Sequence, residues 1–394
     1  MKLYAQHGFG DGEKINEGLS DGSIAGVVFG AKDIAPDRLP ERLAEVQQQS
    51  RKAALLFDPH YYVTLLGESP NVRLNNLEDY PYYSAKRRGQ LEPTDAVEKE
   101  LRKVMEHQVG LPLTGIIAPN ILISRSFEHA EAVIAKNFVR SARKVYATLK
   151  NKRPLYATLA ISREALADKA ELQAFLTDIT LLDNRPDGFY LLIAGRSSEA
   201  RAEIFHADVI AGWMLLNHSL KVNGYEVVNG YSDLVSPFLG AVGGDVGCSG
   251  WFNTLRVFSM ERFAPTATGG RQPVQRYLSN RLLNRITFIE LNALRRAFPE
   301  LVDGLNRDAE FDTPEPDRSK EVLQSWEALN ALLKKVTTDE PDDNLKKCLS
   351  ALDAAETLYA RIRATGFALD AKSGGQHIEP LREGIELFKK LAEF

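Results

Sequence analysis

Cysteine is scarce in this chain: Cys248 and Cys348 are two in 394 residues and lie far apart. That excludes a disulfide framework and any all-cysteine zinc site, and it makes a reduced, cytoplasmic setting the expectation. Long apolar runs are missing too, so nothing reaches the roughly 18 consecutive residues that a membrane span needs. The first residues, Met-Lys-Leu-Tyr-Ala-Gln-His-Gly, lack the apolar stretch and cleavage pattern of a secretory leader. Excess positive charge is absent: the formal net charge is −4 and the pI about 6.1. No global basic field therefore advertises nucleic acid, although a local basic patch stays compatible with that average. There is no repeat at a period of 20–50 residues and no low-complexity segment.

What is present is a rhythm. Apolar residues make up 44% of the chain, and eight short apolar runs fill its first two thirds, at 3–6, 24–29, 53–57, 115–118, 155–161, 188–194, 225–228 and 245–248. Each closes on a small polar cluster. Helical spacing recurs between them at 37–49, 95–109, 127–149 and 163–182. Runs that are apolar throughout suit parallel strands buried on both faces. The pattern predicts an α/β fold, a TIM-like (β/α)8 barrel over residues 1–263. A long insertion follows the third strand, at about 59–93, rich in tyrosine and too aromatic for simple disorder. Beyond a loop-like stretch near 264–271, only helical patterns appear, at 275–298, 319–336, 343–365 and 379–392. They predict an α-helical domain or extension over 272–394.

A barrel places its chemistry at the C-terminal strand ends. The first ends on Gln6-His7 and lacks the His-x-His pair of metal-dependent barrel hydrolases; no metal ligand is named, and whether a metal is used stays open. The third ends Phe57-Asp58-Pro59-His60. A carboxylate beside an imidazole suits either acid–base work or metal coordination; Asp58 is the candidate acid/base, with His7 and His60 as its helpers. The plainer reading is that Asp58 caps an Asp-Pro turn and His7 bonds a loop carbonyl.

Arginine recurs near three successive strand ends, at Arg125, Arg163 and Arg196. Guanidinium forks suit carboxylate or phosphate. Asn120, Asn229 and Tyr231 sit at further strand ends, and the Gly-rich stretch through Gly247, Ser249 and Gly250 stands where barrels often bind phosphate on backbone N–H groups. The competing reading makes Ser162 and Ser197 helix caps and the glycines tight packing points. Cys248 has no histidine near it in sequence to activate it.

Cations interleave with aromatic rings in two places. One is Tyr82, Tyr83, Lys86, Arg87 and Arg88 in the insertion; the other runs from Arg271 through Arg276, Arg281 and Arg285, the last two sharing a helix face at i,i+4. That mixture fits single-stranded nucleic acid. Equally, the second set docks a helical region onto an acidic barrel surface. No specific family is identified. At the level of fold alone the barrel with basic, aromatic loops is similar to the tRNA-guanine transglycosylases, whose Cys-x-Cys-x-x-Cys zinc cluster this chain lacks.

The expectation is therefore a barrel enzyme, a hydrolase or transferase, acting on a phosphorylated, nucleotide-like or nucleic-acid substrate. The alternative is a non-catalytic barrel subunit that grips nucleic acid or a partner protein through the Tyr/Arg-rich loop and the C-terminal helices. No residue pattern names a cofactor, and oligomeric state stays open.

Overall fold

Eight parallel strands form a nearly closed barrel in the computed structural model, which describes residues 1–10, 13–66, 72–196, 205–265, 273–313, 316–338 and 340–394. They are β1 (Lys2–Gln6), β2 (Gly26–Gly30), β3 (Ala54–Asp58), β4 (Ile116–Ala118), β5 (Leu155–Ser162), β6 (Gly188–Ala194), β7 (Glu226–Asn229) and β8 (Val246–Ser249). Each expected apolar run becomes one strand, shifted by a few residues at most. β8 pairs with β1, so the ring closes there in register, Lys2 against Val246. The weak seam lies between β3 and β4. There Thr114 donates its N–H to the Leu55 carbonyl at 2.9 Å, and its hydroxyl accepts the Leu55 N–H at 2.8 Å. One side chain thus stands in for a ladder bond and satisfies buried backbone groups.

Between the strands run α1 (Glu13–Ser20), α2 (Leu39–Gln49), α3 (Thr94–Val109), α4 (Ala130–Thr148), α5 (Arg163–Ala167), α6 (Lys169–Thr180), α7 (Ala207–Val222) and α8 (Ser236–Ala241). Their apolar stripes face the sheet; in α4 Ala135, Phe138, Val139, Ala142 and Tyr146 are buried at helical spacing. Ser162 does cap α5, accepting the Ala165 N–H at 3.1 Å.

The described part of the insertion after β3, 59–66 and 72–93, is a packed cap. Tyr61, Tyr80 and Tyr82 are buried, and their hydroxyls reach Glu100, the Ile34 carbonyl and the Pro59 carbonyl. Its tyrosines serve the core as apolar bodies with a satisfied polar tip.

The C-terminal region departs from expectation at its start. The helix expected over 275–298 is instead a hairpin, β9 (Arg276–Ser279) and β10 (Asn284–Thr287), followed by a short α9 (Phe288–Leu294). Tertiary contacts override the local pattern. The amide of Gln324 accepts the Leu278 N–H at 3.0 Å and donates to the Leu278 carbonyl at 2.8 Å, sealing the hairpin edge. Gln324 lies on α10 (Lys320–Val336), which precedes α11 (Pro341–Ala364) and α12 (Ile378–Leu391). Trp326 of α10 is fully buried, with its indole N–H on the Ser249 carbonyl at 3.1 Å. Among the described residues no helix is long and apolar enough to cross a membrane.

Candidate active site

The mouth of the barrel holds a polar cluster built on Asp58. Its carboxylate is 1% exposed. Oδ1 accepts the His60 N–H at 2.9 Å, and Oδ2 accepts the hydroxyls of Tyr62 at 3.0 Å and Tyr190 at 3.1 Å. Tyr190 stands on β6, not a neighbour of β3, so that bond crosses the barrel lumen. Burial pushes the Asp58 carboxyl up to about 6, against the opposing pull of the His60 N–H, the two hydroxyls and Arg262.

His60 is fully buried, and burial, then the charges of Arg262 and Lys32, hold it well below its usual range. It is neutral, so its contact with Asp58 Oδ2 at 3.6 Å is not an ion pair. Its Nδ1 accepts the Lys32 N–H at 3.0 Å, which leaves the proton on Nε2. Nε2 lies 3.4 Å from the Tyr231 hydroxyl, and that hydroxyl also accepts from Arg262 Nη1 at 2.7 Å. Arg262 pairs in turn with Asp33. Phe258 and Phe263 close over the cluster, with rings 5.0 Å from Tyr62 and 5.6 Å from His60.

Three residues of the mouth have φ in the left-handed region: His60 at 50°, Tyr231 at 54° and Asp233 at 32°. Such backbone costs of order 1 kcal/mol or more for a non-glycine residue and persists only where the surroundings over-determine it. Here the surroundings are the hydrogen bonds just described and a buried ion pair. Arg285 binds Asp233 with two bonds, 2.7 and 2.9 Å, and Ser249 donates to the same carboxylate at 2.5 Å. Burial would raise Asp233, but Arg285 prevails and holds it below the usual carboxylate range.

Beside this cluster lies a cavity of about 100 Å³. Arg163, Arg196, Arg256 and Arg285 line it, and among the described residues Asp233 is the one carboxylate in its wall. Tyr231 is the one lining residue, among those described, that also belongs to the Asp58 cluster.

The structure brings together Asp58, His60 and Tyr231, and, around the cavity, Arg163, Arg196 and Arg285. Others it sets apart. His7 is buried between Phe29 and Trp251, ring centroids 4.7 and 5.6 Å away, and burial with nearby Arg42 lowers it to about 3. It makes no contact with Asp58. Asn120 ties backbone: it bonds the Ala135 and Thr158 carbonyls and the Ile121 N–H. Asn229 faces α7 and clasps Trp213 and Asn217. Gly247 and Gly250 are close-packing points, where a Cβ would strike Ser236 and Leu255. Ser249 serves Asp233. Arg125 is exposed and lines no part of the cavity. Burial also raises the Cys248 thiol, leaving it inert.

The aromatic and basic residues do not form one surface either. Tyr82 is buried, Tyr83 half-buried, Lys86 faces Glu100 at 3.3 Å, and Arg88 meets Glu92 and Glu131. Arg87 and Arg281 are exposed. Arg276 clamps Asp370 and Ser373, and Arg285 points into the barrel. Because 281–287 is a hairpin, Arg281 and Arg285 share no helix face. Ser197 and Arg271 lie outside the described residues.

Sequence reasoning missed Tyr62, Tyr190, Arg262, Asp33, Asp233 and Arg256. Tyr190 had a signal: it sits within an all-apolar strand and carries the one hydroxyl in it. Arg262 had none, since only the chain path after β8 brings it above Asp58. Among the described residues no group of three His, Cys, Asp or Glu could hold a metal ion.

No family model matches the sequence, and no curated protein matches it. Among solved structures it is similar to a glycosyl hydrolase of the GH3 family from Mycobacterium smegmatis, 12% identical, with a TM-score of 0.37 over 63% of this chain and 83% of that one. A likeness of that size carries no argument about what this chain does.

Proposed function

We propose that this chain is an enzyme whose barrel mouth performs acid–base chemistry on a small anionic, phosphorylated or nucleotide-like substrate. The observation that carries the reading is Asp58: a buried carboxyl raised to about 6, linked through His60 and Tyr231 to an arginine-lined cavity. A carboxyl in that range exchanges protons near neutral pH, which a solvated aspartate does poorly. Asp58 is the acid/base. Neutral His60, its Nδ1 engaged by the Lys32 N–H and its one proton on Nε2, carries no proton itself; it positions the Tyr231 hydroxyl, the group of this cluster that lines the cavity. Tyr62 and Tyr190 hold the carboxylate in place, and Arg262 steadies the Tyr231 oxygen when it carries negative charge. The arginines hold the anionic end of the substrate.

One observation favours a second reading, a non-catalytic scaffold. Asp58 is dry and already takes three donors, as a structural plug would. A turnover screen separates the two. The full chain is incubated with nucleotides, sugar phosphates and simple phosphate esters, and products are followed by mass spectrometry. Turnover that disappears in a folded Asp58→Asn variant and survives in Arg125→Ala supports the enzyme. No product across the panel, or an Asp58→Asn variant as active as the parent, hands the chain to the scaffold reading.

A further inference from the structure

Gln6 ends β1 with a carboxamide that no protein group meets among the described residues. The residue is fully buried, and neither Nε2 nor Oε1 has a hydrogen-bond partner. Its direction follows from strand parity. A Cβ on Gly26 would strike Tyr4 and Ala54 together, which sets Tyr4 on the inner face shared by Ala54, Leu56 and Asp58. Gln6, two residues after Tyr4, keeps that face, while His7 turns outward against Phe29 and Trp251.

Register then sets its height. Gln6 pairs with Val28 on β2, and Asp58 pairs with Gly30, two residues further on. The tilt of a closed eight-strand barrel lifts each successive strand by about one residue, so inward residues of alternate strands form one layer. Gln6 and Asp58 share such a layer. Its other members are Thr158 and Gly230. The Thr158 hydroxyl donates to the Ala118 carbonyl at 2.7 Å, and Gly230 leaves its place to the Tyr190 ring. Burial, then the charge of Asp58, raise the Cys248 thiol on β8, the strand that flanks β1 on its other side. The Asp58 carboxylate and the Gln6 amide therefore face the same part of the lumen.

A buried amide with no partner costs more than an apolar side chain of the same shape. The nearby hydroxyls are committed: Tyr62 and Tyr190 donate to Asp58 Oδ2. Asp58 Oδ1 takes one donor, the His60 N–H, and a carboxylate oxygen accepts two. Water supplies what both groups lack, accepting from Nε2 and donating to Oδ1, with a second molecule donating to Oε1. We propose that Gln6 is the positioning residue of a buried water site beside Asp58, and that this water carries protons to and from the carboxyl. Asp58 gives its proton to the water as the water gives one of its own to the next acceptor in the mouth, so water leaves the exchange unchanged. The role given to the water rests on the acid–base reading of Asp58; the site itself does not.

Two measurements test it. A crystal structure of the parent is expected to show ordered water within about 3.2 Å of the Gln6 amide and of Asp58 Oδ1. A lumen without it overturns the proposal, and this result decides the matter where a variant does not fold. The second is the titration of the Asp58 carboxyl, followed by its infrared band and identified by the loss of that band in Asp58→Asn. Gln6→Met keeps the bulk and removes the amide. It is expected to move the Asp58 transition up by about one pH unit, the loss of one hydrogen bond to the ionised form. The other titratable or charged groups that act on Asp58 are His60, Cys248, four tyrosines and Arg262, all unchanged by the substitution. An unmoved transition in folded Gln6→Met overturns the proposal. A moved transition with no turnover of any substrate leaves the water site standing and the acid–base reading fallen. Turnover lost in Asp58→Asn, with Gln6→Met equal to the parent in kcat and in titration, does the reverse.

Discussion

The two halves of the barrel mouth are built differently. On the β2–β3 side, polar groups sit in contact, buried and bonded to one another: Asp58, His60, Tyr62, with Tyr190 reaching across the lumen. On the β5–β7 side, polar groups stand around a space, with guanidiniums set among apolar side chains. The first half fixes a proton inventory, and the second leaves room for a molecule. The difference teaches that burial alone does not mark a site. Asp58 and Asp233 are both buried carboxylates, yet one is raised and the other lowered, because only Asp233 has an arginine fork on it. The raised group is the one able to exchange a proton near neutral pH.

The largest effect that would test this contrast is at Asp233. Arg285→Met leaves that carboxylate buried without its fork, and unfolding by denaturant should show a loss of about 3–5 kcal/mol. A loss under about 1 kcal/mol would mean that Asp233 finds water, and the contrast with Asp58 would collapse.

Asp58 comes next. Its folded value lies above the unfolded one, so the folded chain binds the proton more tightly. Stability from this group is fully present below about pH 4, falls as the pH rises towards 6, and is flat above that. The span amounts to roughly 3 kcal/mol, two pK units at about 1.4 kcal/mol each. Unfolding free energies of the parent and of Asp58→Asn, compared from pH 4 to 7, should converge at the acid end and diverge towards neutrality. Parallel curves would show that Asp58 is not raised.

A smaller effect is expected from Tyr190→Phe, which removes one donor to Asp58 across the lumen. It should cost about 0.5–1.5 kcal/mol at pH 7 and move the Asp58 transition further up. The same measurement on Arg125→Ala or Arg87→Ala, both exposed and outside either half, should stay within about 0.5 kcal/mol.

The barrel was legible because its signal is repetitive: eight apolar runs, each ending in polar residues, report the period of the fold. Asp58 and His60 were legible for the same reason, since strand ends are where chemistry collects. His7 was misplaced because sequence gives the strand end but not which way the next side chain turns. It turns outward, against Phe29 and Trp251, while Asp58 keeps the inward parity of Leu56. Tyr82 and Arg285 looked like surface groups because tyrosine and arginine usually are. The first fills the cap over β3, and the second neutralises a carboxylate 52 positions earlier in the chain. Long-range pairings of that kind leave no local pattern.

The reach of Arg285 also sets an order in time. A chain made from its N-terminus finishes all eight barrel strands by residue 249, yet the β7 end then carries Asp233 without its partner. Only when the hairpin arrives does the Tyr231–Asp233 turn gain the ion pair that holds its unfavourable backbone. The barrel is therefore completed from behind: a nascent chain that has exposed residues 1–263 owns the strands and the Asp58 cluster but not the Arg285–Asp233 pair. Release before residue 285 should yield a sheet whose β7 end lacks that ion pair.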